Sequence, residues 1–511
     1  MYLETLDVTV IALYFAGLLG LGVVASRQQS SQEDYYLAGR KAHWLLAGVS
    51  VVATLLSSVS YVMIPGEMIR NGIGYFSSLL AFVLIIPVVN YIVIPSLMRL
   101  PVTSIYEYLE RRFGVQARCL GASVFVVIRL IWMGLILYTA ARAIVPMTGW
   151  PLLPLVVMVG LVTVIYTTMG GIRAVLWSDF AQFVILIGGA LLIPCYIAVV
   201  TSSSPGDWWH LFASGDRAST PIFSWNPTTR TTLFGMVLVT FMWNICTHSS
   251  DQVAAQRYLC TSSAAKAQRS FWIFSLGNIG IILLLMTCGL ALFYFRFHSD
   301  NLPMEAFQKQ ITVHADDVMP RFIARNLPAG ATGLILAALL AAAMSSVSSG
   351  INSISAVIVS DLMAKQDDDE TQSHSLLKPR LLALASGVIA ISGALCVDAL
   401  MHTVDWNLVD LIERINHLFV APLGAIFFAG IWFRHVGLAA VMLGFAAGVI
   451  TSLLISFSQW LFDYDISFMW ILPGSFLMSL LVAYLSGYLF TPPSQDQLAV
   501  LYRPRNARTK T

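Results

Sequence analysis

Long apolar stretches recur from residue 8 to residue 490, separated by short polar connections and broken by a few polar patches inside the stretches themselves. A run of roughly 18 or more apolar residues crosses about 30 Å of hydrocarbon as a helix. The pattern predicts about thirteen such helices, over 8–27, 43–69, 75–98, 117–147, 151–169, 176–201, 231–250, 271–296, 328–363, 380–401, 405–432, 437–460 and 468–490. Composition agrees: 57% of the 511 residues are hydrophobic and 11% charged, with a mean hydropathy of +0.76. The expected fold class is therefore all-α, a polytopic membrane protein.

An odd number of crossings puts the termini on opposite faces, and positive charge marks the cytoplasmic face. Odd-numbered connections carry Arg27, Arg40 and Lys41, then Arg99, Arg111, Arg112 and Arg118, then Arg173, then Arg257, Lys266 and Arg269, then Lys365, Lys378 and Arg380, then Arg434. Arg503, Arg505, Arg508 and Lys510 follow the last run. The expected placement is a multi-pass protein of the cell membrane, embedded in the lipid bilayer, with "MYLETLD" outside and a cytoplasmic tail at 491–511. The first run lacks a basic n-region and a small-residue cleavage pattern, so it is read as a retained helix. The six cysteines lie in or near apolar runs and suggest no disulfide framework. The net charge of +2 and the absence of a basic tract beyond the tail give no reason to expect nucleic acid. No phosphate loop of the G-x-x-x-x-G-K-[ST] type is present, so energy for transport would come from an ion gradient.

Two polar patches interrupt membrane runs five segments apart: "ATLLSSVSY" at 53–61 and "WNICTHSSDQ" at 243–252. Carriers built on inverted repeats break equivalent helices at the binding site. The spacing predicts a first repeat over 43–201 and a second over 231–432, with an extra helix at 8–27 and extra helices over 437–490, all in one transporter domain. The stretches 202–230 and 297–327 read as external links, and "KQDDDETQSHS" at 365–375 as a solvated linker.

The most polar of the long runs contains "AAAMSSVSSGINS" at 341–353. Ser345, Ser348, Ser349 and Asn352 recur at i, i+3, i+4 and i+7, one face of a helix. Such a face either packs closely against neighbouring helices or replaces the hydration shell of a monovalent cation; calcium would call for carboxylates. Asp179 is the natural counter-charge, or else a helix-start acid near Arg173. Arg129 lies about 15 Å from either end of its run, too far to snorkel, and is either an anchor for an anionic solute or half of a buried pair. Arg142 is near enough to an end to reach the surface. Asn244, His248 and Asp251 recur at i, i+4 and i+7 and either line a solute path or pack against neighbours. Asp410, Glu413 and Arg414 can neutralise one another.

Four stretches together resemble the sodium:solute symporter family: "EDYYLAGRKAHWLLAGVSVVATLLSS" (33–58), "YTTMGGIRAVLWSDFAQFVILIGGA" (166–190), "SDQVAAQRYL" (250–259) and "LPAGATGLILAALLAAAMSSVSSGINSISAVIVSDL" (327–362). The resemblance runs from about residue 8 to residue 490. It implies the leucine-transporter fold, an inverted five-plus-five repeat with flanking helices, which matches the predicted order. It also implies a sodium site of the Ala53, Leu56 and Ala342 carbonyls with the Ser345 and Ser346 hydroxyls. The ligands of a further sodium site in some members match Asp179, Ser345, Ser348 and Ser349. Solute contacts carried over by position are Ser57, Ser58, Ser60, Tyr61, Phe76, Arg129, Trp132, His248 and Asp251. Sugar carriers vary at the "DQVAAQR" position, and Arg129 departs from the commoner pattern toward a carboxylate.

The expected function is a sodium-coupled secondary active transporter, acting as a monomer and importing a small organic solute by alternating access, with a carboxylate-bearing solute favoured. Rival readings are a proton-coupled carrier using Asp179, a sugar or amino-acid carrier on the same fold, and a membrane sensor that binds solute without moving it. A sensor usually carries a signalling domain, and the stretch after 490 holds none. An enzyme is not expected, since no nucleophile–base pair or metal cluster is evident.

Overall fold

The computed structural model describes residues 3–499 except 101, 216–219, 230, 301, 364–374 and 402–407, and omits the side chains of 408–413 and 416. The 365–375 linker (but for Ser375), the basic residues at 503–510 and the Asp410 and Glu413 side chains therefore lie outside the described residues.

Every element among the described residues is helical. The chain opens with α1 (Thr5–Ser26) and the short α2 (Gln32–Leu37). The second apolar run is two half-helices, α3 (Trp44–Leu55) and α4 (Ser58–Asn71). The third is a series of pieces: α5 (Ser77–Leu80), α6 (Phe82–Val88) and α7 (Ile94–Leu97), with a tight turn at Gly72–Phe76 and a wide one at Val89–Val93. Next come α8 (Tyr106–Phe113), α9 (Val115–Thr148), α10 (Leu152–Thr201) and α11 (Pro205–Ser214). The second broken run is α12 (Leu233–Ser250) and α13 (Gln252–Leu259). It is followed by α14 (Ala264–Asp300), α15 (Met304–Val313), α16 (Ala315–Asn326) and α17 (Ala331–Val357). The chain ends with α18 (Leu377–Met401), α19 (Leu408–Trp432), α20 (Leu438–Ser456), α21 (Ser458–Phe462), α22 (Ile471–Ser486) and α23 (Gln495–Leu498). Nine of the described helical stretches are long and apolar enough to cross a membrane, and Trp44–Leu55 and His417–Trp432 are shorter apolar helices.

Three departures from the pattern have local causes. The predicted helices at 151–169 and 176–201 are joined within α10 by a sharp kink rather than by a loop, because the chain turns within a single residue. Gly171 takes φ 51° and ψ −152°, a region open essentially to glycine alone, and no loop is needed. The stretches read as plain links contain α11, α15 and α16, short amphipathic helices below the length a membrane pattern detects. The helical spacing of Asn244, His248 and Asp251 stops at Ser250, since Asp251 is extended (φ −93°, ψ 117°).

The two breaks share a mechanism. At the first, Leu56 is extended (φ −86°, ψ 101°) and the Ser57 hydroxyl accepts from Ser60 N at 3.3 Å, capping α4. At the second, Asp251 Oδ1 accepts from Val253 N at 2.8 Å, capping α13. Short polar side chains that bond nearby N–H groups favour such caps over helix interiors.

α17 is the axis of the molecule. Every residue from Ile335 to Val357 is buried, with α10, α9, α1, α18 and α3 packed around it. Its small side chains let those backbones approach. Asp7 of α1 caps it from outside: Oδ1 accepts from Gly330 N at 2.8 Å and Gly333 N at 2.7 Å. The acid of the N-terminal "MYLETLD" thus holds the start of the serine-rich helix.

Two substitutions test this frame by thermal denaturation of detergent-purified protein. In Gly171→Ala the new Cβ would meet Tyr35 O at 2.7 Å in a conformation alanine resists, with an expected cost of about 2–4 kcal/mol and a lower melting midpoint. Asp7→Ala orphans one buried and one part-buried N–H group, an expected cost of about 2–3 kcal/mol. A midpoint within one degree of wild type in either variant would contradict the stated role.

Candidate functional site

α3 ends against the middle of α17. Because Leu56 leaves helical geometry, the carbonyls of the last turn of α3 lack intrahelical donors and are available to other groups. The Ser345 hydroxyl donates to Ala53 O at 2.8 Å and reaches Ala342 O at 3.2 Å. The Ser346 hydroxyl donates to Thr54 O at 2.8 Å and reaches Ala342 O at 3.3 Å. Four of the five residues predicted for the first sodium site therefore converge, and Leu56, buried and extended, follows directly in the chain. The cluster is made of neutral oxygens, a set that suits a hard monovalent cation. Thr54 is an addition; its place one residue after Ala53 at a helix end was the available signal.

A second cluster lies on the other side of Thr54. Asp179, fully buried, accepts at Oδ2 from Ser50 Oγ at 2.5 Å and Thr54 Oγ1 at 3.2 Å. Thr54 Oγ1 also lies 2.8 Å from Ser349 Oγ. Arg257 Nη2 stands 3.6 Å from Asp179 Oδ2 and donates to Ser349 Oγ. Ser348 turns to its own helix, donating to Ser345 O at 3.1 Å. Asp179 is thus not a helix-start acid paired with Arg173. Arg173 pairs with Asp34 at 3.2 Å, whose carboxyl is held below its usual range chiefly by a hydrogen bond from Ser30. Arg257 departs from its reading as a connection cation: α13 continues the broken run inward, and the guanidinium is fully buried.

The solute-side residues separate into groups. A cavity of about 230 Å³ opens at the first break, lined by Leu55, Leu56, Ser57 and Ser60, with Trp132 of α9 and Asn244 of α12 opposite. Ser58, next to Ser57 in the chain, is buried and does not line it. Tyr61 points away, its hydroxyl donating to Leu186 O at 3.4 Å, and Phe76 packs partly buried on the core. His248 sits among aromatic rings: Nδ1 is 2.8 Å from Tyr258 Oη, and Phe271 and Phe274 meet the ring edge-on at 5.0 and 4.6 Å. That contact ties α12 to α13 across the second break. Arg129 Nη1 faces Asp251 Oδ2 at 3.8 Å, and neither lines the cavity. Arg142 is exposed and donates to Tyr138 Oη at 2.9 Å. Arg414 donates to Ser456 O and lies 3.6 Å from Asp465.

Comparison with known proteins extends this picture. The model of the sodium:solute symporter family matches residues 35–448. The chain is 27% identical over 512 residues to the sodium/sialic acid symporter NanT of Aliivibrio fischeri, covering 99% of this chain and 98% of that protein. It is 29% identical over 443 residues to the sodium/sialic acid symporter SiaT of Proteus mirabilis, covering 86% and 87%. The human sodium-coupled monocarboxylate transporter 1 is 29% identical over 451 residues, covering 86% and 72%. A solved substrate-bound, outward-open Na+-coupled sialic acid symporter superposes with a TM-score of 0.85 at 27% identity, over 96% of this chain and 99% of that one. The closed form of Mhp1, a nucleobase-cation-symport-1 family transporter, has a TM-score of 0.57 at 12% identity over 91% and 97%, and shares the fold alone. Both have the leucine-transporter architecture. The protein is a transporter and not an enzyme, and sodium is its coupling ion. With the serine-rich helix and both helix breaks inside a family match that spans most of its length, this chain belongs to the sodium:solute symporter family.

Proposed function

We propose that the solute is a carboxylated sugar of the sialic-acid class, imported with sodium, and that Arg129 binds its carboxylate. The observation that carries this reading is the state of Arg129. It is buried in the middle of α9, its contact with Asp251 is long at 3.8 Å, and its Nε and Nη2 atoms have no hydrogen-bond partner. A guanidinium with open donors that faces a helix break can donate to a carboxylate in a forked pair. The sialic acid symporters that match nearly the whole chain supply the solute class. Ser57, Ser60 and Trp132 face the cavity and take the hydroxylated body of the solute, with Ser58, Tyr61, Phe76, His248 and Asp251 supporting from behind or entering as the cavity changes shape.

Coupling follows from chain geometry. Ala53 and Thr54 meet the serines of α17, while Leu55, Leu56 and Ser57 line the cavity. An ion held by the Ala53, Leu56 and Ala342 carbonyls with Ser345 and Ser346 fixes the end of α3 and so shapes the solute site, and each ligand favours the other. Asp179, Ser345, Ser348 and Ser349 form a second ion site. Alternating access then moves the repeat 43–201 against 231–432, with 8–27 and 437–490 as flanking helices, thirteen crossings in all. The chain works as a monomer in the lipid bilayer of the cell membrane, with its N-terminus outside and its C-terminus in the cytoplasm, as the positive charge of the odd-numbered connections supports.

Uptake by proteoliposomes under an imposed sodium gradient tests the reading. Labelled sialic acid should accumulate with sodium and not with potassium, and Arg129→Gln should lower uptake at least tenfold. Failure of every carboxylated sugar, or an unaltered Arg129→Gln, would overturn it. In the same assay Ser345→Ala should raise the sodium concentration for half-maximal uptake about tenfold, the loss of one hydroxyl ligand; an unchanged sodium dependence would remove Ser345 from the ion site.

A further inference from the structure

Arg257 occupies the oxygens that a second ion would need. Its Nη1 donates to Val253 O at 2.8 Å on its own helix, and its Nε to Ser50 Oγ at 3.2 Å. Nη2 donates to Ser349 Oγ, reaches Thr54 Oγ1 at 3.4 Å and stands 3.6 Å from Asp179 Oδ2. Neither side chain of the pair is exposed. Asp179 Oδ1 has no hydrogen-bond partner, so the acid retains an unused acceptor beside a charge that is already balanced.

One acid and one guanidinium sum to zero. A sodium ion at Asp179 would add an uncompensated positive charge a few ångströms from Arg257, away from water, where like charges repel strongly. Ser349 cannot serve both, because its oxygen is committed to the guanidinium and to Thr54. The guanidinium is also tied to α13 by its bond to Val253 O. Its withdrawal is therefore linked to displacement of this half-helix.

We propose that Arg257 is a tethered cation that competes with sodium for Asp179 and Ser349, so that the second ion binds only when α13 draws the guanidinium away. The inference rests on the reading of Asp179, Ser345, Ser348 and Ser349 as an ion site. It adds a mechanism: α13 seated and second sodium bound are mutually exclusive, so that ion favours the conformation in which the inner half of the second broken helix has moved.

Isotopic sodium binding to the full-length protein in detergent tests this without reference to transport. Arg257→Gln should lower the sodium concentration for half-saturation of the second ion at least tenfold, and the double variant Arg257→Gln, Asp179→Asn should lose that gain. If Asp179→Asn weakens sodium binding while Arg257→Gln leaves it unchanged or weaker, the competition is refuted and the ion site stands. If neither variant alters sodium binding, the ion site itself falls and the competition with it. Should Arg257→Gln fail to give a monodisperse protein, Arg257→Met is read by the same criteria. Its neutral side chain of similar length leaves Asp179 and Ser349 to the ion, so a gain dependent on Asp179 is again expected, and no gain refutes the proposal.

Discussion

The structure depends on the burial of α17 from Ile335 to Val357. A helix with no lipid-facing side must satisfy its hydroxyls within the protein, since unpaired polar groups are costly where water is excluded. Two of its serines, Ser345 and Ser346, find acceptors in the free carbonyls at the end of α3. Small side chains make this approach feasible, and Asp7 of α1 fixes where the helix begins. Close packing and the proposed ion chemistry, alternatives on the sequence alone, draw on the same residues.

The breaks at Ser57 and Asp251 give that packing a function. A continuous helix would consume the carbonyls of Ala53 and Thr54 in its own ladder. Ending α3 at Leu55 frees them, and restarting at Ser58 under a serine cap turns the next residues toward the cavity. The proposed ion and solute sites are thus separated by about one helical turn of the same chain, a physical connection short enough that ordering one side would order the other.

α13 carries one member of each of two intramembrane ion pairs. Asp251 at its start faces Arg129 of α9, and Arg257 in its body faces Asp179 of α10. Buried pairs of this kind add little net stability, because desolvation offsets their attraction, while breaking one is costly. They are better understood as registers that fix where α13 sits relative to the two helices. The His248–Tyr258 contact adds a third restraint across the break.

The periodicity and length of the apolar runs determined the all-helical membrane class, because crossing hydrocarbon admits few alternatives. The spacing of Ser345, Ser348, Ser349 and Asn352 made the serine face legible, and the two polar patches located both breaks. What the sequence could not specify was partnership. Arg257 lies close to Lys266 and Arg269 in the chain and read as one more connection charge, and only the inward course of α13 brought it to Asp179. Thr54 lay inside the polar patch at 53–61 with no role of its own until the end of α3 met α17. His248 shared a helical spacing with Asp251 that held only if the helix continued, and the backbone turned at Ser250. Residues on one helix are related by a period that the sequence displays; residues on different helices meet through crossing angles and close approaches that are set jointly by all the packed surfaces, and those only the tertiary structure decided.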